Sequence, residues 1–185
     1  MKVSTELDRR FRDAALAEGL VDVAYDVVES PVGPLLVAAS DAGVCRISFS
    51  TEEAPEQLAR DFGVRVLRAA PRVDDVRRQL DEYFEHRRER FDLRLDLRAA
   101  APFHREVLTE LALVPYGETT TYGALASKVG RPRAARAIGL AMNRNPLPIV
   151  LPCHRVLGSS GSLTGYAGGL HVKEQLLRLE GALLV

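Results

Sequence analysis

Apolar positions recur along this chain with two periods, and the change of period divides it. Near residues 4–18, Leu7, Phe11, Ala14 and Ala15 fall at helical spacing and predict a short amphipathic helix. The runs VAYDVVES, PLLVAAS and GVCRISFS follow, separated by PVG and DAG, and read as strands of a small antiparallel meander. EEAPEQLARDFG predicts a helix and VRVLRA a further strand. VDDVRRQLDEYFEH predicts a helix with Val73, Val76, Leu80 and Phe84 on one face. FDLRLDLR alternates apolar and charged residues with period two, which suits a strand or an extended edge. RAAAP, Arg98 to Pro102, then marks a boundary between domains of residues 1–98 and 99–185.

Beyond that boundary the pattern turns helical. PFHREVLTELALV predicts a helix with Pro102 in its first turn and Phe103, Val107, Leu108 and Leu111 inward. TYGALASKVG predicts a short helix capped by Thr121 and stopped by Gly130. RPRAARAIGLAMNRN predicts another, with Pro132 near its first turn. Two short helices across a glycine turn, the second rich in arginine, resemble a helix-turn-helix. The second presents Ala134, Ala135, Ala137, Gly139 and Ala141, small residues that allow close approach to another helix or to a narrow groove of DNA. Pro146, Pro148 and Pro152 forbid a helix over NPLPIVLP, and LHVKEQLLRLEG closes the chain as a helix ending near Gly181.

Charge sharpens the division. Residues 1–98 hold 16 Lys/Arg and 20 Asp/Glu, a balance of −4; residues 99–185 hold 9 and 5, a balance of +4. Between Thr119 and Lys173 there are seven Lys/Arg and no acid, so a local positive field survives a net charge of zero. No run of about 18 apolar residues exists, so no membrane span is expected. The N-terminal stretch lacks the apolar core of a secretory signal, and two cysteines of unlike context make no disulfide framework. A cytoplasmic, reducing compartment is the expectation.

The second cysteine, Cys153, stands in VLPCHRVLGSSG between a proline and His154, with Arg155 next. A thiol becomes a nucleophile as its thiolate, and a neighbouring cation lowers its pKa. A base would need a third group to orient it, and Glu174 and Glu180 are the only acids after Glu118. A packed, inert thiol is the alternative for any cysteine, and the reading taken for Cys45. The cysteines and His86, His104, His154 and His171 show no ligand-pair spacing, so no metal is expected. His86 and His171 read as surface residues and His104 as structural.

The strings VPYGETTTYGALA, GRPRAARAIGLAMNRNP, LPCHRV and TGYAGGL, running from about Pro102 to Gly181, together resemble the O6-alkylguanine-DNA alkyltransferases. SPVGPLLVAASDAGV and LDEYFEHRRERFDLRLDL match more loosely. The resemblance implies an α+β fold: a small sheet-plus-helix, ribonuclease-H-like domain, then a mainly helical domain with a winged or helix-turn-helix DNA-binding motif. It implies that Cys153 accepts the alkyl group, that His154 takes the thiol proton through a bound water, and that Glu180 orients His154. Asn145 would hold the turn that carries the cysteine, and Tyr122 would donate its hydroxyl to the purine. Arg136 would fill the gap left by a flipped nucleotide, with Thr121, Ala134, Ala135, Gly139 and Arg144 along the DNA. Tyr122, Met142, Val156, Tyr166, Ala167 and Gly168 would line the base pocket. The implied partner is duplex DNA carrying O6-alkylguanine, bound through its minor groove by a monomer, with cooperative assembly and O4-alkylthymine left open. No cofactor is expected, and a thioether product makes the event single.

Departures from the family pattern are His104 and Leu108, where a glutamine and a tryptophan are usual, and Ala167, where some members carry a hydroxyl. The Cys/His set with which some members bind zinc is missing from the N-terminal half. A non-catalytic lesion sensor and a Cys-His-Glu hydrolase are the rival readings; the first leaves Cys153 unused, the second leaves the basic helix pair unexplained.

Overall fold

The computed structural model describes residues 5–51 and 54–183. The expected helix starts at residue 4 and at Glu52–Glu53 lie outside them. The chain forms two compact units, one from residues up to Asp81 with Asp92–Ala99, the other from Glu82–Phe91 with the residues from Ala100 onward. Residues 82–91, which the sequence reading placed in the first domain, group with the second, where Tyr83 finds its hydrogen-bond partner.

The first unit is a four-stranded sheet in the order β3-β2-β1-β4, with β1 Val23–Val28, β2 Leu35–Ser40, β3 Val44–Ser48 and β4 Val66–Arg68. The three-strand meander is antiparallel as its short turns require, and β4, reached across α2 (Ala54–Phe62), runs parallel to β1. Alternation sends Val23 to a cluster with Leu36, Ala38, Cys45 and Leu58 of α2, and Ala24 to a second with Ala15 of α1 (Thr5–Ala17) and Ala69. β2, covered on both faces, is buried throughout. The α1 expectation holds only in part: Ala15 is buried, but Leu7 and Phe11 are exposed.

FDLRLDLR, expected as a strand or an extended edge, forms no regular strand and meets the sheet at a single bridge. Its only rung is Val44 with Leu95, because Gln79 of α3 (Asp74–Phe84) takes both backbone groups of Asp92 and so competes for the ladder. Gly43 is required here, since a Cβ would sit 2.2 Å from the Arg94 carbonyl oxygen. In α3 itself, Tyr83 rather than Phe84 is the fully buried aromatic; both lie one turn beyond Leu80, and burial selects the residue whose hydroxyl has an internal acceptor.

The second unit packs α4 (Pro102–Leu111), α5 (Tyr122–Lys128) and α6 (Ala135–Asn143) around Val107, Leu108, Leu111, Leu125, Ile138 and Ala141. Phe103 is only half-buried, lying 4.7 Å beneath the Arg131 guanidinium. Gly130 at φ 71° ends α5 as its sequence predicts. α6 begins at Ala135, not near Pro132, because residues 131–134 close a turn, Ala134 donating to the Arg131 carbonyl with Pro132 at its second position. A short parallel pair, β5 (Thr120–Thr121) with β6 (Val156–Leu157), brings the start of α5 beside the residues after Cys153. The last helix, α7 (Leu170–Leu179), has Glu180 as its C-cap and Gly181 at φ 71° beyond.

Candidate active site

Four segments of the second unit converge on Cys153. The proline-rich run places it at the head of a 3₁₀ turn, Cys153–Arg155, and the turn is entered under strain: fully buried Ile149 has φ 75°, a left-handed conformation rare for a β-branched residue. Asn145 holds that loop, its Nδ2 donating to the Leu151 carbonyl at 2.8 Å while its Oδ1 accepts from the Leu147 amide at 3.0 Å.

The Cys153 thiol is buried. Burial pushes its pKa up to about 11, against a hydrogen bond from Asn145 and the nearby Lys173 cation. At neutral pH the group is a thiol, and it needs a base. His154, wholly buried, has its pKa lowered by burial against the pull of Glu180. Its Nε2 lies 2.9 Å from Glu180 Oε1. An ionised carboxylate can only accept, so Nε2 carries the hydrogen and Nδ1 keeps its lone pair. Nδ1 has no protein partner among the described residues.

Glu180 is held on several sides. Arg155 donates from Nε to Oε2 and from Nη2 to Oε1, both at 2.8 Å, and from Nη1 to the Val114 carbonyl at 2.6 Å. Tyr83 donates its hydroxyl to Oε1 at 2.7 Å. Burial alone pushes this carboxyl up, but the hydrogen bonds and charges of His154 and Arg155 take it down to about 2. The carboxylate is therefore charged at every working pH and fixes one tautomer of His154.

A second buried cation lies near the cysteine. Lys173 is completely buried, and its Nζ donates to the carbonyls of Val156 at 2.6 Å and Thr164 at 2.9 Å. Thr164 in turn donates its hydroxyl to the Tyr122 oxygen at 3.1 Å. Tyr122 opens α5 behind its cap, where the Ala124 amide donates to Thr121 Oγ1 at 3.1 Å. Its ring lies against Gly139 of α6. Tyr166 is edge-on to His154, with ring centroids 6.4 Å apart.

Of the residues expected at the site, Cys153, His154, Glu180 and Asn145 form one connected cluster. Met142 and Val156 are buried, Tyr166 and Gly168 half-buried, and Ala167 exposed. Ala134, Ala135 and Gly139 are half-buried, and Arg136 and Arg144 are exposed on α6. Sequence reasoning missed Tyr83, Lys173, Thr164 and the grip of Arg155 on Glu180. Lys173 had a signal: it shares the inward spacing of Leu176, Leu177 and Glu180 along α7. Cys45 is inert, its thiol pushed up to about 12 by burial. His86 and His171 are exposed and His104 half-buried. Among the described residues, no group of three or more His, Cys, Asp or Glu is placed to hold a metal, and no helix is long and apolar enough to cross a membrane.

Fold and site together define a two-unit α+β protein whose buried cysteine is followed directly by a buried histidine paired with a glutamate, in the same unit as a basic helix pair. The chain belongs to the 6-O-methylguanine DNA methyltransferase family: the model of its ribonuclease-like domain matches residues 23–97, and that of its DNA-binding domain residues 102–182. A methylated-DNA–protein-cysteine methyltransferase of Methanosarcina barkeri is 44% identical over 84% of this chain and 96% of its own. One from Mycolicibacterium paratuberculosis is 42% identical over 85% and 92%. The crystal structure of Mycobacterium tuberculosis OGT in complex with DNA superposes with a TM-score of 0.77 at 37% identity, covering 86% of this chain and 93% of that one.

Proposed function

We propose that this protein repairs DNA by taking the alkyl group of O6-alkylguanine onto Cys153, once per molecule. The observation that carries the reading is the buried cluster of Cys153, neutral His154 and ionised Glu180. The thiol proton passes to His154 Nδ1 across a bridging water, and Glu180 stabilises the resulting imidazolium through Nε2. The thiolate sulfur attacks the alkyl carbon in line. A carbon–sulfur bond forms, the carbon–O6 bond breaks, and the electron pair goes to the guanine. Tyr122 meets the developing charge by donating its hydroxyl to the purine ring. The product thioether is a poor leaving group, and nothing at the site supplies a second step.

The reacting atom is hidden inside a duplex, so the nucleotide is extruded at a cost of a few kcal/mol. Arg136 offsets part of that cost by filling the gap, while the small residues of α6 admit it to the minor groove. Tyr122, Met142, Val156 and the segment Tyr166–Gly168 form the pocket for the extruded base. Thr121 and Arg144 contact the backbone, and the protein binds as a monomer.

The test is intact-protein mass after incubation with a duplex carrying one O6-methylguanine. The expected result is one methyl group in place of one proton, capped at one per protein and abolished by Cys153→Ala. Tight binding without a mass change would make the chain a lesion sensor; neither binding nor transfer would sink the DNA reading.

A further inference from the structure

Glu180 accepts from a residue that lies outside the stretch of chain matched to the DNA-binding domain. Tyr83, in the last turn of α3, is fully buried and donates to Glu180 Oε1, the same oxygen that faces His154 Nε2. A phenol beside an ionised carboxylate can only donate, so the direction of this bond is fixed. The ring is equally fixed. Phe91 lies 5.4 Å from it and Tyr116 6.1 Å, the latter edge-on and anchored by its own hydroxyl to the Leu179 carbonyl.

We infer that Tyr83 is a positioning residue for alkyl transfer, acting through Glu180 to set the basicity of His154. The inference rests on the transferase reading above. Three donors share Oε1, namely Tyr83, His154 and Arg155. Each draws charge from it, so Tyr83 weakens the pull of Glu180 on the imidazole proton. That keeps His154 neutral and able to accept the thiol proton. The other charged or titratable groups facing this pair are Arg155, Lys173, Cys153, Tyr116 and Tyr166. Arg155 and Lys173 also disfavour the imidazolium, whereas Glu180 alone favours it. Removal of the Tyr83 hydroxyl strengthens the one favourable partner and leaves the two opposing cations in place. The sign follows: the His154 pKa rises, and His154 is protonated before it can act over a wider acidic range.

The experiment compares the full chain with Tyr83→Phe. The acid limb of the methyl-transfer rate moves to higher pH by about one unit. In proton spectra the His154 Nε2–H resonance moves downfield as its bond to Glu180 tightens. Phe91→Leu, which loosens the same aromatic cluster without touching Glu180, lowers Tm and leaves limb and resonance in place. A Tyr83→Phe protein with both readouts unmoved overturns the inference, whatever its Tm. So does a Phe91→Leu protein that reproduces the shifts, since packing would then be the cause. The resonance needs no turnover: if the wild-type chain transfers no methyl group, the transferase reading fails while the coupling of Tyr83 to His154 is still decided.

Discussion

Arg155 is nearly as buried as the carboxylate it grips, and that decides what loss of the pair does. Glu180→Gln keeps the shape but leaves a buried guanidinium without its counter-charge, so stability at pH 7 should fall by about 3–5 kcal/mol in urea unfolding. The folded-state pKa of Glu180 lies below the ordinary 4.5, at about 2, so its contribution is complete above pH 4.5 and is lost as the pH falls toward 2. The gap between wild type and Glu180→Gln should therefore close over that window; a gap constant with pH would show that charge is not what Glu180 contributes. Lys173 makes a different case. Among the described residues its ammonium bonds two carbonyls and no carboxylate, and it bears on Cys153. In a Cys45→Ala background, Lys173→Met should slow iodoacetamide labelling of Cys153 at pH 8 by about tenfold, one unit of thiol pKa. Unchanged labelling would mean that the lysine serves the carbonyls alone.

At the scale of elements, the end of α3 carries a testable strain. Its last turn closes with Arg87 donating to the Glu82 carbonyl and His86 to that of Tyr83, the paired bonds that place His86 in the left-handed position. His86 is exposed at φ 58°, so its side chain offers no packing to lose. His86→Gly should raise stability by about 0.5–1 kcal/mol, the relief of strain exceeding the added freedom of the unfolded chain. A lower Tm would show that the imidazole contributes on the surface. Ends of this kind were legible where glycine occupies the position, as at Gly130 and Gly181, and illegible at His86. The site followed the same rule. Cys153, His154, Glu180 and Asn145, expected from the family resemblance of their strings, come together in one cluster. Tyr83 could not be expected, because Leu80 is followed one turn later by two aromatics and only a distant acceptor chooses between them. At FDLRLDLR alternation could not choose between a strand and an extended edge, and the Gln79 side chain takes both backbone groups of Asp92, a competitor that no alternation pattern records.

For the whole molecule, net charge is zero and the useful field is local. Lys128, Arg133, Arg136 and Arg144 are exposed, and none is ion-paired among the described residues. Charges more than about 8 Å apart are largely screened at physiological salt, so a phosphate held at this patch feels chiefly the patch's own charges. The proposed roles split these arginines into two experimental behaviours. Arg144, at the C-cap of α6, is proposed as a backbone contact. Arg144→Ala should weaken binding to lesion-bearing and undamaged duplex alike, and reduce the slope of log affinity against log salt by about 0.9. Arg136 is proposed to stand in for the extruded base, so its loss should fall on transfer instead. Arg136→Ala should slow methylation of Cys153 on a paired lesion by tenfold or more, on the order of the unstacking cost no longer offset. The slowing should be smaller on a lesion already unpaired in a single strand. If Arg136→Ala instead changes only the salt slope, equally on both substrates, then Arg136 is one more phosphate contact and the gap is filled by another side chain.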